Sequence, residues 1–234
     1  MTTRKLIAIT GATGGQGGPV VNSFVNDPEL RVCGITRNPS SQKSKNLQAR
    51  GVEVDQADLD DRTSLAKAFQ DPNVIFVVSG FWGIYNDLKN RNKPKPEQAL
   101  NELTKVQETQ QLKNIIDEAA RAANLECFII SSPPGPTKLS RGKYTNVCHH
   151  DSKADAEEYG KQNQPELWAK TSVYFPGYFL SNFLTYPMAK PTKVRFQELS
   201  KPNDIQTDAA AETERKHTIR KQLRPRYQSS TDIS

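Results

Sequence analysis

The stretch KLIAITGATGGQGGPVVNSFVND, Lys5–Asp27, decides how the rest of this chain is read. Its first six residues, Lys5–Thr10, form an apolar run of the kind a buried strand carries. Glycines follow at Gly11, Gly14 and Gly17, three apart. Then Val20, Val21, Phe24 and Val25 fall on one face of a helix. Strand, glycine-rich turn and helix in that order open a βαβ unit, and the same alternation continues along the chain. RVCGITR (31–37) reads as a second strand and SKNLQARG (44–51) as a short helix ended by Gly51. VEVDQADL (52–59) is a third strand, and DRTSLAKAFQ (61–70) a helix capped by Asp60 or Asp61. NVIFVVSG (73–80) is a fourth strand, followed by a loop with prolines in its neighbourhood. Residues 96–124 read as one long helix, with Leu100, Leu103, Val106, Ile115, Ile116, Ala119 and Ala120 on its apolar face. ECFIISS (126–132) and TSVYFPGYF (171–179) supply a fifth and a sixth strand.

Strands separated by helices of this length pair in parallel, and right-handed crossovers then give a doubly wound sheet. Continuous apolar strands fit a sheet covered on both faces. The expected fold is therefore α/β, a Rossmann-like doubly wound parallel sheet. Domain 1–190 carries this pattern. Residues 191–234 break it, with few bulky apolar residues and nine Lys or Arg against six Asp or Glu. That tail supplies half of the net charge of +6 carried by the 234 residues. It reads as a solvated, disordered tail, and RKHTIRKQLRPR (215–226) as an arm for nucleic acid or an acidic partner is the alternative. The body shows no basic stripe, so direct nucleic-acid binding is not expected. The three cysteines, Cys33, Cys127 and Cys148, have no metal-type spacing, and two of them lie inside apolar runs. With no run long enough for a membrane span or signal peptide, the expected setting is the reduced cytoplasm, with the nucleus as an alternative.

Glycine at such a turn permits a positive φ, lets a phosphate approach the backbone, and allows close helix–strand packing. The helix start beyond it attracts an anion. Thr10 and Thr13 add hydroxyls, and Gln16 can cover the phosphates. After the second strand stands Arg37, with Lys43 nearby and no acidic residue before Glu53. An arginine there suits a 2′-phosphate, where a carboxylate would take a ribose hydroxyl. The expected cofactor is NADP, with NAD the less favoured form. Asp58 and Leu59 fit either an adenine contact or the cap region of the next helix. Ser79, Gly80 and Phe81 stand at the sheet's carboxyl edge, and Phe81 and Trp82 suit local packing as well as a cleft wall.

The segments GATGGQG, TRNP, ADLDD, VVSGFW, HHDSKADAEEY and PGYFLSNF together resemble the NmrA-like family of atypical short-chain dehydrogenase/reductase relatives, from about Lys5 to Phe183. The resemblance implies an NAD(P) site, often for NADP. It assigns Gly11, Ala12, Thr13, Gly14, Gly15 and Gln16, with Gly17 of the motif, to the phosphates. Arg37 falls to the 2′-phosphate, Asp58 and Leu59 to adenine, and Ser79 to Phe81 to the ribose and nicotinamide side. It matches Lys153 to the lysine that reaches the nicotinamide ribose, and Gly177, Tyr178, Phe179 and Leu180 to the segment beside the ring. It also implies either redox-sensing regulation through a protein partner or oxidoreductase activity on a small molecule.

His149 stands four residues before Lys153, where a typical short-chain reductase has tyrosine. Residues four apart share a helix face, yet a cationic lysine disfavours protonated histidine and weakens it as an acid. His149 and Lys153 are the catalytic candidates, with a non-catalytic helix-start histidine as the competing reading. His150 is an alternative donor; Ser131 and Ser132 are either carbonyl-orienting or turn residues. Relatives usually continue for about another hundred residues into a smaller substrate or partner domain, so a truncated or missing small C-terminal domain is expected. An exposed patch, YFPGYFLSNFLTYP (174–187), would then imply a partner, a homodimer or instability. The first expectation is an NADP(H)-responsive regulator acting through a protein; the second is an NADPH-dependent oxidoreductase of a carbonyl or enoyl compound. A remnant that binds nothing is the third.

Overall fold

A computed structural model describes residues 4–91 and 97–185. The basic tail 191–234 and the end of the 174–187 patch lie outside these residues.

Six strands alternate with nine helices among the described residues: β1 Lys5–Thr10, α1 Gly17–Phe24, β2 Leu30–Thr36, α2 Gln42–Gln48, β3 Glu53–Gln56, α3 Arg62–Ala68, β4 Val74–Val77, α4 Phe81–Arg91, α5 Glu97–Ala120, β5 Cys127–Ser131, α6 Pro136–Leu139, α7 Cys148–Asn163, α8 Pro165–Trp168, β6 Thr171–Tyr174 and α9 Asn182–Thr185. All strand pairs are parallel, in the order β3-β2-β1-β4-β5-β6. The order reverses between β1 and β4, where Ile7 pairs with Val74 and Ile9 with Phe76. This is the Rossmann-like doubly wound sheet, and ligands of such sheets lie outside the strands' carboxyl ends at that reversal. The described residues fall in two compact units divided after Tyr178.

Each sheet face carries its own core. On one face α1 and α2 bring Val21 and Leu47 against Ile7, Ile9, Val32 and Phe76. On the other, Leu65 of α3, Leu112, Ile115 and Ile116 of α5, and Ala156 of α7 meet Ile75, Phe128 and Ile130. Among the local signals, Gly51 takes φ +85° after α2, and Asp61, not Asp60, caps α3 by accepting from the Thr63 N–H at 2.9 Å. Cys33, Cys127 and Cys148 are free thiols. Burial pushes the Cys33 and Cys148 thiols up, which disfavours their reactive thiolates.

Two local readings are corrected. The stretch after β4 is not a loop throughout, because Phe81–Arg91 forms α4, with the Gly80 carbonyl accepting from Gly83 and Ile84. Leu103, Val106 and Ala120 do not lie on the buried face of α5; the first two are exposed to 42% and 69%, and Ala120 is exposed as well. The inward face instead carries polar side chains, Thr104, Glu108, Gln111, Asn114 and Glu118, among Leu100, Leu112 and Ile115. Thr104 donates to the Leu100 carbonyl of its own helix, and the other four have partners on neighbouring elements, which apolar periodicity does not register.

Candidate functional site

The turn between β1 and α1 is built by steric necessity. Gly11 has φ +61°, and a Cβ there would lie 2.8 Å from Val78 Cγ1. A Cβ on Gly17 would lie 2.4 Å from the Gly11 carbonyl oxygen. The turn is closed by Gly14 N–H to Gly11 O at 2.8 Å and Gly18 N–H to Gly14 O at 3.0 Å. No side chain caps the α1 start at Gln16, and the side of Gly15 faces open space. An exposed Gly15 and Thr13 beside a buried Ala12 complete a backbone surface that an anion can approach. These features fit a dinucleotide's pyrophosphate.

Thr10 does not face this surface as a donor. Its hydroxyl donates to Val78 O at 2.9 Å and accepts from Val78 N–H at 2.8 Å, so it ties β1 to the residue after β4. The Gln16 side chain is likewise engaged: its Oε1 accepts from Ser131 Oγ at 2.7 Å, bridging the glycine turn to β5. Ser132 Oγ is buried and has no hydrogen-bond partner among the described residues.

Along the edge towards β3, Arg37 follows β2 and is exposed, and among the described residues its guanidinium makes no ion pair. Its carbonyl accepts from Gln56 Nε2 at 3.3 Å, holding the ends of β2 and β3 together. The Asp58 carboxylate accepts from Asp60 N–H at 3.1 Å in a turn of its own, one step before the Asp61 cap. Leu59 is half-buried against the core, and its carbonyl accepts from Asn114 Nδ2 at 3.0 Å. Gln111 and Gln107 of α5 donate to Asp60 Oδ2 at 2.8 and 3.2 Å. The inward polar face of α5 therefore fixes the loop that carries Asp58 and Leu59.

Towards β5 the same helix supplies Glu108, which the apolar pattern did not single out. Its side chain is fully buried and gathers four bonds. Ser79 Oγ donates to Oε1 at 2.8 Å, Ser152 Oγ donates to Oε2, and Lys153 Nζ donates to both oxygens at 2.8 Å. A carboxylate four residues beyond Thr104, on the stripe that Leu100 begins, is the signal in the sequence that could have found it.

Lys153 also donates to the main-chain oxygen of His149 at 2.9 Å, so the two candidates meet through the backbone rather than through the imidazole. The His149 ring sits in an aromatic group: Phe81 at 5.8 Å, Trp82 at 5.4 Å and His150 at 4.6 Å between centroids. Phe81 is buried, with Lys153 Nζ 6.0 Å from its ring, while Trp82 is 54% exposed. Phe81 thus packs inward and Trp82 faces outward. Burial, reinforced by His150 and Lys153, holds the His149 imidazole below its ordinary range. That favours the neutral ring, which offers one donor and one acceptor.

Gly80 is exposed, and beside it no atom would meet a Cβ within 4 Å. Gly177 and Tyr178 end the first unit on its exposed surface, whereas Phe179 and Leu180 belong to the second unit and are exposed within it. Among the described residues no three His, Cys, Asp or Glu side chains are grouped to hold a metal. No described helix is long and apolar enough to cross a membrane.

Comparison with known proteins agrees with this architecture. The NmrA-like family profile matches residues 3–217. The oxidoreductase hkm9 of Aspergillus hancockii, an NmrA-like family domain-containing protein, is 32% identical over 187 residues, 80% of this chain and 50% of the relative. FrzB of Cladobotryum sp., similarly described, is 32% identical over 184 residues, 79% and 49% of the two chains. This chain spans about half the length of the curated relatives it matches. Among solved structures, NmrA, a negative transcriptional regulator, superposes with a TM-score of 0.56 at 20% identity, over 76% of this chain and 47% of that one. The NADPH-dependent quinone oxidoreductase QOR2 of Escherichia coli, complexed with NADPH, gives 0.51 at 23% identity, over 76% and 51%. With the profile matching most of its length, the chain belongs to the NmrA-like family.

Proposed function

We propose that this chain binds NADP(H) along the carboxyl edge of its sheet and serves NADPH-dependent oxidoreduction of a small carbonyl or enoyl compound. The observation that carries the binding is the pairing of an open glycine turn at Gly11–Gly17 with Arg37 at the end of the adjacent strand β2, exposed and without an ion pair among the described residues. Structures solved in complex with NADP or NADPH share the fold, as does one of NmrA with NAD, and they support a nicotinamide dinucleotide; Arg37 carries the preference for the phosphorylated form. The oxidoreductase names of relatives at 32% identity support the activity.

In this reading the glycine turn takes the pyrophosphate and Arg37 the 2′-phosphate. Asp58 and Leu59 flank the adenine, and Ser79, Gly80 and Phe81 border the ribose. Bound NADPH supplies a hydride. The protein's part is to orient that donor with Lys153, to exclude water with Phe81 and Trp82, and to offer a proton from the neutral His149 tautomer or a water. Gly177 and Tyr178 are assigned to the nicotinamide side by family resemblance.

A second reading, a dinucleotide-responsive regulator acting through a protein partner or a second copy, is favoured by one observation. His149 stands in the place of the usual tyrosine, and burial, by holding its pKa down, disfavours the imidazolium that would serve as a general acid near neutral pH. NmrA is described as a negative transcriptional regulator.

Calorimetric titration with NADP⁺ tests the site. Saturable binding is expected, weakened roughly tenfold or more in Arg37→Ala, the loss a charge-assisted phosphate contact implies. NAD⁺ affinity should not change. A folded chain that binds neither nucleotide overturns the proposal. NADPH oxidation with quinone or enone acceptors, abolished in Lys153→Ala, separates enzyme from regulator.

A further inference from the structure

The Lys153 ammonium has three protons, and it meets three acceptors: Glu108 Oε1 and Oε2 at 2.8 Å and the His149 carbonyl at 2.9 Å. These acceptors are not equivalent. Helix geometry gives the His149 carbonyl the main-chain N–H of Lys153 as well, so that oxygen keeps a partner if the ammonium leaves it. Glu108 has no such reserve of charge. It is fully buried, and without the lysine its negative charge would be uncompensated. The hydroxyls of Ser79 and Ser152 bond its two oxygens from the end of β4 and from α7. The carboxylate is therefore fixed from two neighbouring elements before any ligand arrives.

We propose that Glu108 is the positioning residue of this site. It anchors the ammonium of Lys153 by two bonds, and the third proton, lodged on the His149 carbonyl, is the one handed to an acceptor in the cleft. The inference rests on the NADP(H) reading only for the identity of this acceptor, the nicotinamide-ribose hydroxyl to which the family resemblance assigns Lys153.

The test uses the full chain and two readouts on Glu108→Gln, with folding checked by circular dichroism. The first is calorimetric affinity for NADP⁺, expected to fall about tenfold as the lysine loses its anchor. The second is calorimetric affinity for adenosine 2′,5′-bisphosphate, which lacks the nicotinamide ribose and should bind wild type and variant alike. A purely structural Glu108 would weaken both ligands together, and that result overturns the anchoring role. Unchanged NADP⁺ affinity in a folded variant overturns the handover to the ribose. Wild-type chain that binds neither ligand overturns the dinucleotide reading, and the ribose assignment with it. Should Glu108→Gln not fold, Glu108→Asp, which withdraws the carboxylate by one methylene, carries the same two readouts.

Discussion

The Thr10 hydroxyl and the main chain of Val78 are joined in both directions: the hydroxyl donates to the Val78 carbonyl at 2.9 Å and accepts from its N–H at 2.8 Å. One side chain thus replaces the next ladder bonds that β1 and β4 would have made, at the place where the strand order reverses. The bridge leaves room for Gly11 to turn away with φ +61°. Fold and candidate site meet in this contact.

Thr10→Val keeps the shape and removes both bonds, leaving two main-chain groups without their partner. A loss of about 2 kcal/mol is expected, the cost of polar groups left unsatisfied in a part-buried place. Urea denaturation with an unchanged slope would confirm it. A difference below about 0.5 kcal/mol, the range of ordinary surface changes, would show that water replaces the hydroxyl.

Gly15 and Gly17 separate the steric from the ligand-facing role of the glycine turn. Alanine at Gly17 would place its Cβ 2.4 Å from a backbone oxygen, and about 3 kcal/mol of destabilisation follows from overpacking. Alanine at Gly15 meets nothing within 4 Å. It should unfold within about 0.5 kcal/mol of wild type yet bind NADP⁺ less tightly, because its methyl occupies the approach to the backbone. Equal stability losses in the two variants would contradict the packing described for this turn.

The Glu108–Lys153 pair makes a stability prediction independent of any ligand. Lys153→Met leaves the fully buried carboxylate without its counter-charge, and about 3 kcal/mol should be lost. The double variant Glu108→Leu with Lys153→Met should recover most of that loss, since apolar replacements of a buried pair are often close to neutral. Thermal and urea unfolding of the three proteins measure this. Losses that simply add would mean the two side chains are not coupled.

His149 gives a pH signature of known sign. Its folded-state pKa lies below the ordinary value of about 6.5, chiefly because burial penalises the imidazolium, with His150 and Lys153 adding to the effect. The unfolded chain therefore binds the proton more readily. The associated stability is present above about pH 6.5 and is lost as pH falls through the lower folded value. Subtracting the pH–stability curve of His149→Gln from that of wild type isolates this term from the carboxylates. The difference should fall on acidification from neutrality; a flat difference would show that the ring is as hydrated when folded as when unfolded.

The sequence by itself determined the sheet, its parallel winding and the glycine turn. These follow from local signals, namely continuous apolar strands, helix-length connections and glycines where the chain must turn sharply. It also put Arg37, Ser79 and Lys153 in view, because each lies at a strand end or a motif spacing. The tertiary structure alone decided what those residues touch. Thr10 reads as a ligand hydroxyl until Val78 is seen beside it, and Gln16 reads as a phosphate cover without any sign that Ser131 holds its side chain. Leu103 and Val106 read as core, yet α5 turns them outward and directs Glu108, Gln111 and Asn114 inward. Apolar periodicity cannot report this, because the free energy of burying a polar side chain depends on partners far along the chain. Lys153 lies 45 residues from Glu108, and Asp60 lies 51 from Gln111. Only the folded sheet, by stacking α3, α5 and α7 on one face, brings those charges and dipoles close enough to make burial favourable.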